Sequence, residues 1–111
     1  MIEILQYHTE SGENLFAAWF KSLDKQTSLR IMAAVYRLEQ GNFSNAKSVG
    51  EGVQEYRLDF GPGYRIYFGK DGEQIVILLA GGTKKRQQQD IDAARVRWND
   101  YKQRKMKEKR Q

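Results

Sequence analysis

Up to residue 41 the apolar residues of this chain recur mostly at helical spacing, and from Val53 onward they alternate with polar ones. Ile2-Glu3-Ile4-Leu5-Gln6-Tyr7 opens the chain as a short strand of β-branched and aromatic residues. Thr9 and Ser11 are placed to cap a helix whose stripe is Leu15, Phe16, Trp19, Phe20 and Leu23, a period near 3.6. Asp24 is the N-cap of a second helix, with Leu29, Met32, Tyr36 and Ile31, Val35, Leu38 as its buried rows. Gly41 ends it as the residue that takes positive φ. So short a link forces the two helices into an antiparallel hairpin. Residues 42–52 read as a loop.

The second half predicts two β-hairpins. Tyr56, Leu58 and Phe60 share one face of a strand, and Glu55, Arg57 and Asp59 share the other. Gly61-Pro62-Gly63 is a turn, after which Tyr64, Ile66 and Phe68 alternate with Arg65 and Tyr67. A three-residue turn pairs Phe60 with Tyr64, Leu58 with Ile66 and Arg57 with Tyr67, keeping apolar faces together. Asp71-Gly72 supplies a two-residue hairpin turn that pairs Phe68 with Ile75, Ile66 with Ile77 and Arg65 with Leu78. Ile75-Val76-Ile77-Leu78-Leu79-Ala80 is apolar on both faces and reads as a central, buried strand. A last helix begins near Arg86 and buries Ile91, Ala94, Trp98 and Tyr101. Residues 102–111 read as a basic tail or fraying helical end on a single domain of residues 1–101. The order β-αα-βββ-α is an α+β fold, an antiparallel sheet with the helical hairpin on one face and a C-terminal helix.

Charge sharpens this picture. The chain has 111 residues and a net charge of +5. Residues 84–111 hold eleven Lys or Arg against four acids, so this quarter carries +7 and the remainder −2. Such asymmetry fits a polyanion or an acidic partner. The chain contains no cysteine, which rules out disulfides and a thiolate nucleophile. It also contains no run of about 20 apolar residues and no signal-peptide layout at its start, so the expected location is the cytoplasm, with no membrane contact.

The cations cluster around the predicted sheet. In the expected register Arg57 and Arg65 project from one face with Tyr67 opposite Arg57. The last strand then leads through Gly81-Gly82 to Lys84, Lys85 and Arg86 at the sheet rim. Adjacent glycines permit tight turns and close backbone approach. Three cations at a helix start oppose the helix dipole, which argues for a functional reason. Arginine binds phosphate oxygens bidentately, and a lysine among other cations can have its pKa lowered for proton transfer. Together they suit cleavage of RNA, in which the 2′-hydroxyl attacks its own phosphate and cations hold the pentacoordinate charge. Arg57, Arg65, Lys84 and Lys85 are the candidate catalytic residues. Tyr67, Arg86, Arg95, Lys102 and Arg104 are the candidate RNA contacts. The bland alternative is that Glu55 and Asp59 neutralise the strand arginines as cross-strand pairs, and that Trp98 and Tyr101 are core. His8 is the only histidine and lies far in sequence from these cations, so a two-histidine mechanism is out. No carboxylate cluster with metal-ligand spacing is present in the sequence, and no cofactor is called for.

Tyr56-Arg57-Leu58-Asp59-Phe60-Gly61-Pro62-Gly63-Tyr64-Arg65-Ile66-Tyr67-Phe68 resembles the central hairpin of the RelE/ParE toxin superfamily. Leu78-Leu79-Ala80-Gly81-Gly82-Thr83-Lys84-Lys85-Arg86-Gln87-Gln88-Gln89-Asp90-Ile91 is similar to the hallmark of its HigB-like branch, the addiction module killer proteins. The resemblance implies the toxin of a type II toxin–antitoxin module, a ribosome-dependent endoribonuclease that cuts mRNA and arrests translation. It also implies a cognate antitoxin, often a small helix-turn-helix protein, through which alone the module touches DNA. By position Arg65 matches the sheet arginine that grips phosphate, Arg57 falls near strand lysines, and Lys84 or Lys85 near the basic residue after the last strand. Thr83 stands where that branch carries an acid, and no tyrosine or histidine follows the last strand closely. ParE-like relatives imply the alternative, inhibition of DNA gyrase without nuclease activity.

Overall fold

The computed structural model describes residues 1–109. Five strands form one sheet in the order β1-β5-β4-β3-β2, where β1 is Glu3–Gln6, β2 Ala46–Gly50, β3 Val53–Leu58, β4 Tyr64–Asp71 and β5 Ile75–Thr83. The helices are α1 (Leu15–Lys21), α2 (Lys25–Glu39) and α3 (Gln87–Lys109), with a 3-10 turn at Lys84–Arg86 before α3. The α+β class holds. The sheet, however, is mixed rather than antiparallel, because β1 runs parallel to β5. β2 is a fifth strand where a loop was expected. Its Lys47 and Ser48 are exposed and it sits at the edge, so it is held by backbone pairing to β3 and leaves no apolar alternation to read.

Local chemistry explains the helix ends. Asp24 caps α2 as expected, its Oδ1 accepting from the Thr27 amide at 2.7 Å, and Gly41 follows α2 with φ +81°. The cap of α1 is Asn14, which accepts from Ala17, and not Thr9 or Ser11. α2 buries Thr27, Ile31, Ala34 and Leu38, whereas the expected row Leu29, Met32 and Tyr36 is exposed at 56, 57 and 60%.

The sheet is covered on both faces. α1 and α2 pack over Tyr56, Leu58, Ile66, Phe68, Val76 and Leu78. α3 lays Ile91, Ala94 and Trp98 over Val53, Tyr67, Ile77 and Leu79. α3 continues without a break from Tyr101 to Lys109, so residues 102–109 are helical; Arg110 and Gln111 lie outside the described residues. Among the described residues no helix is long and apolar enough to cross a membrane.

Both hairpin registers differ from expectation. β3 pairs with β4 as Leu58 with Tyr64, Arg57 with Arg65 and Glu55 with Tyr67, so Tyr67 is not opposite Arg57 and Asp59 lies in the loop. The connection is five residues long, with Gly61 and Gly63 at φ +52° and +77°. A two-residue shift keeps every side chain on its face, so the hydrophobic pattern cannot detect it. β4 pairs with β5 as Asp71 with Ile75, Phe68 with Leu78 and, beyond a bulge, Arg65 with Gly82. The shift is three residues up to the bulge, which exchanges the faces of that part of β5, and four beyond it, which restores them. The strand tolerates it because it is apolar on both sides.

Candidate functional site

The α3 face of the sheet carries a polar cluster near the start of that helix. Glu55 is fully buried. Its Oε1 accepts from Arg57 Nε at 2.8 Å and its Oε2 from Gln87 Nε2 at 2.8 Å, tying β3 to the first residue of α3. Burial opposes its ionisation, but these two hydrogen bonds outweigh it and hold the carboxyl below its ordinary value. Arg65 is 4% exposed. Its Nη1 donates to the carbonyls of Gly63 (3.1 Å) and Tyr64 (3.4 Å), while its Nε, 3.8 Å from Glu55 Oε2, has no hydrogen-bond partner.

The loop between β3 and β4 completes the arrangement. The Gly63 carbonyl also accepts from the Lys84 amide at 2.8 Å, which docks the 3-10 turn against the loop. An open cleft of about 490 Å³ results, lined by Arg57, Arg65, Lys84, Gln87 and the loop residues Asp59–Gly63. Its electrostatics are graded. The Arg65 guanidinium is fixed at the floor, the Arg57 side chain is 39% exposed at the wall, and Lys84 is exposed at the lip. An anion entering here meets exposed cations first and a buried one beneath, an arrangement suited to a phosphodiester.

Three of the four expected catalytic residues thus share one cleft: Arg57, Arg65 and Lys84. Lys85 does not join them; it is exposed beside Arg86, Gln88 and Gln89 on a separate shallow surface. Tyr67 cannot stack on a base, because it is fully buried beneath the cluster. Its hydroxyl lies beside the Glu55 carboxylate without a well-formed hydrogen bond, and burial, then that carboxylate, pushes its pKa up. Arg95 turns away from the cleft, donating to the Val49 carbonyl and pairing with Glu51 and Asp92. Lys102 lies over the Trp98 ring, and Arg104 bonds Asp100 and the His8 carbonyl. Arg95 and Arg104 brace α3 against the body, while Lys102 packs along α3 itself. Trp98 is buried core. The neutralisation weighed from the sequence does occur through Glu55 and not Asp59, along β3 to Arg57 and across strands to Arg65.

Two members of the cluster escaped the sequence reading. Gln87 looked like part of a polar run, and nothing local marks it. Asp90 sits under Gly82, where a Cβ would collide with its carboxylate, and burial raises its pKa against the pull of Arg86 and Arg97. The signal was the glycine pair. Gly81 makes room for Trp19 on the α1 face and Gly82 for Asp90 on the α3 face. They serve close approach on both sides of an extended strand, and no turn forms there.

Residues 18–99 match the family described as phage derived protein Gp49-like (DUF891). An uncharacterized protein of Haemophilus influenzae is 40% identical over 82 residues, covering 73% of this chain and 83% of its own length. No solved structure matches. The matched span contains β3, β4, β5, the 3-10 turn and the first half of α3, and with them every residue of the cleft. The chain therefore belongs to the phage-derived Gp49-like family, a family of the addiction-module toxin type.

Proposed function

We propose that this chain is the toxin of a type II toxin–antitoxin module and that it cuts mRNA on the translating ribosome. The observation that carries the reading is the convergence of Arg57, Arg65 and Lys84, from two strands and the turn before α3, on one open cleft. The scissile phosphate lies against Arg57 and Lys84. Arg65 supplies a fixed positive field from below, its Nε 3.8 Å from Glu55 Oε2 and its Nη1 bonded to the Gly63 and Tyr64 carbonyls. As the 2′-oxygen bonds to phosphorus and the 5′-oxygen leaves, negative charge grows on the phosphoryl oxygens. Cations held in place before the reaction lower the energy of that state. Glu55 is a positioning residue. It is ionised, fully buried and committed to Arg57 and Gln87, so it orients the arginines. The exposed row Leu29, Met32 and Tyr36 on α2 supports a protein partner such as the cognate antitoxin of this family type.

Primer-extension mapping of ribosome-bound mRNA in an in vitro translation reaction tests the reading. The wild type produces cuts at occupied codons, and Arg57→Ala lowers their rate by about 10²-fold or more, the scale of losing one transition-state donor. Arg57 is the residue to replace, because Arg65→Ala would also disturb the buried sheet. Uncut mRNA with the wild type, together with DNA breaks in expressing cells, would assign the chain to a gyrase-type target instead.

A further inference from the structure

A second cationic cleft lies beyond the first. It measures about 710 Å³ and runs between α2 and the start of β2, lined by Arg30, Arg37, Asn45, Lys47, Arg57 and Phe60. The two clefts meet at Arg57, Asp59 and Phe60, so a strand leaving one enters the other. Resting on the proposed nuclease reading, we infer that this α2–β2 cleft binds the single-stranded RNA that flanks the scissile phosphate, with Arg37 and Lys47 on its phosphates and the Arg30 guanidinium under a base.

Three observations lead there. First, the cleft is cationic beyond local need. Among the described residues Arg30, Arg37 and Lys47 make no salt bridge, and Asp59 is the only acid in the lining. Uncompensated cations lining a concave surface concentrate field on whatever anion enters. Second, the cleft offers a stacking plane. The Arg30 guanidinium lies over the Phe60 ring, 4.5 Å from its centre, and Arg30 is exposed. Single-stranded RNA is recognised through bases stacked on such planes. Third, the exposed Ser44 and Asn45 side chains supply hydrogen-bonding groups beside it. An acidic protein segment would use the cations and leave the stacking plane idle, which favours RNA.

The test uses the full chain and a single-stranded RNA oligonucleotide with every 2′-oxygen methylated, so that it binds without being cut. Fluorescence anisotropy is followed against salt for wild type, Arg37→Ala/Lys47→Ala and Arg57→Ala, with thermal melts to establish that each variant is folded. Arg37 and Lys47 are both exposed, so the double variant keeps its fold. Removing two phosphate contacts should weaken binding roughly ten-fold and reduce the slope of log affinity against log salt by about 1.4. Wild type that cuts mRNA, paired with a double variant of unchanged affinity and slope, would overturn this inference and leave the nuclease reading standing. Wild type that neither cuts mRNA nor binds the oligonucleotide would overturn both. Unchanged RNA affinity with lost binding of a glutamate-rich peptide would give the cleft to a protein partner and overturn the inference as well.

Discussion

α3 meets the sheet through the same three side-chain types at both of its ends, with opposite results. Toward its C-terminus Tyr7 donates to Asp100 at 2.7 Å and Arg104 bonds the same carboxylate, while Tyr101 and Lys105 together bond Asp71. Each of those two tyrosine hydroxyls is matched. Toward its N-terminus Glu55, Tyr67, Arg57 and Arg65 form an equivalent group, yet here one fully buried carboxylate serves two cations, Arg57 and Arg65, where each carboxylate at the other end serves one. Buried polar groups are nearly always hydrogen-bonded. The closed groups are fastenings that hold a long helix to the sheet. The other group carries more cation than carboxylate and lies beside an open cleft, which is the arrangement the proposed function uses. Residue types alone do not separate the two ends; the balance of cation and carboxylate and the neighbouring cleft do.

The most damaging way to probe the contrast is Glu55→Gln. Losing the carboxylate leaves Arg65 buried without its counter-charge, so urea denaturation should show a loss of about 3–5 kcal/mol. A loss below about 1 kcal/mol would mean that the arginines are hydrated and the cluster is a surface feature. The tyrosines give a sharper and smaller test. Tyr7→Phe removes a made hydrogen bond and should cost about 1 kcal/mol. Tyr67→Phe removes a hydroxyl beside the Glu55 carboxylate that has no well-formed hydrogen bond, so its cost should be smaller than that of Tyr7→Phe; an equal or larger loss would show that Tyr67 donates to Glu55.

Acid titration gives the smallest effect and a difference in sign. The bond from Lys105, then that from Tyr101, lowers the Asp71 pKa, and the bond from Tyr7 lowers that of Asp100. A depressed carboxylate contributes stability above its unfolded pKa, and that contribution disappears as pH falls through the folded value. Asp90 runs the other way. Burial raises its pKa above 3.8, so its ionisation opposes folding as pH rises through the raised value. Asp90→Asn should therefore stabilise the protein slightly at pH 7 and leave it nearly unchanged at pH 3. Wild type itself should lose stability as pH falls from 7 to 3, because Asp71, Asp100 and Glu55 are all depressed and outnumber Asp90. A destabilised Asp90→Asn protein at pH 7 would show that Arg86 and Arg97 outweigh the burial.

How far the site could be read from the sequence depended on the distance over which each signal acts. Arg57 and Arg65 share a face by simple alternation along two neighbouring strands, and that face survived a wrong register because the error was two residues. Lys84 and Lys85 were indistinguishable as neighbours in sequence. Only the docking of the turn through the Lys84 amide onto Gly63 puts one in the cleft and leaves the other outside. Arg95, Lys102 and Arg104 added to the basic count of the C-terminal quarter, but their partners, Val49, Trp98 and His8, lie on the body or on α3 itself. The cations of the α2–β2 cleft went unnoticed for the converse reason. Arg30, Arg37 and Lys47 are isolated along the chain and adjacent only in space.

By itself the sequence determined the α+β class, both long helices, the three central strands and the cap at Asp24. These rest on periodicity and on side chains bonding their own backbone a few residues away, forces that act within one turn or one hairpin. Tertiary structure alone decided that β1 runs parallel to β5, that β2 is a strand, and which cations face one another. Edge pairing and charge convergence join residues dozens of positions apart, and no local pattern encodes them because backbone hydrogen bonds and ion pairs place no periodic demand on sequence.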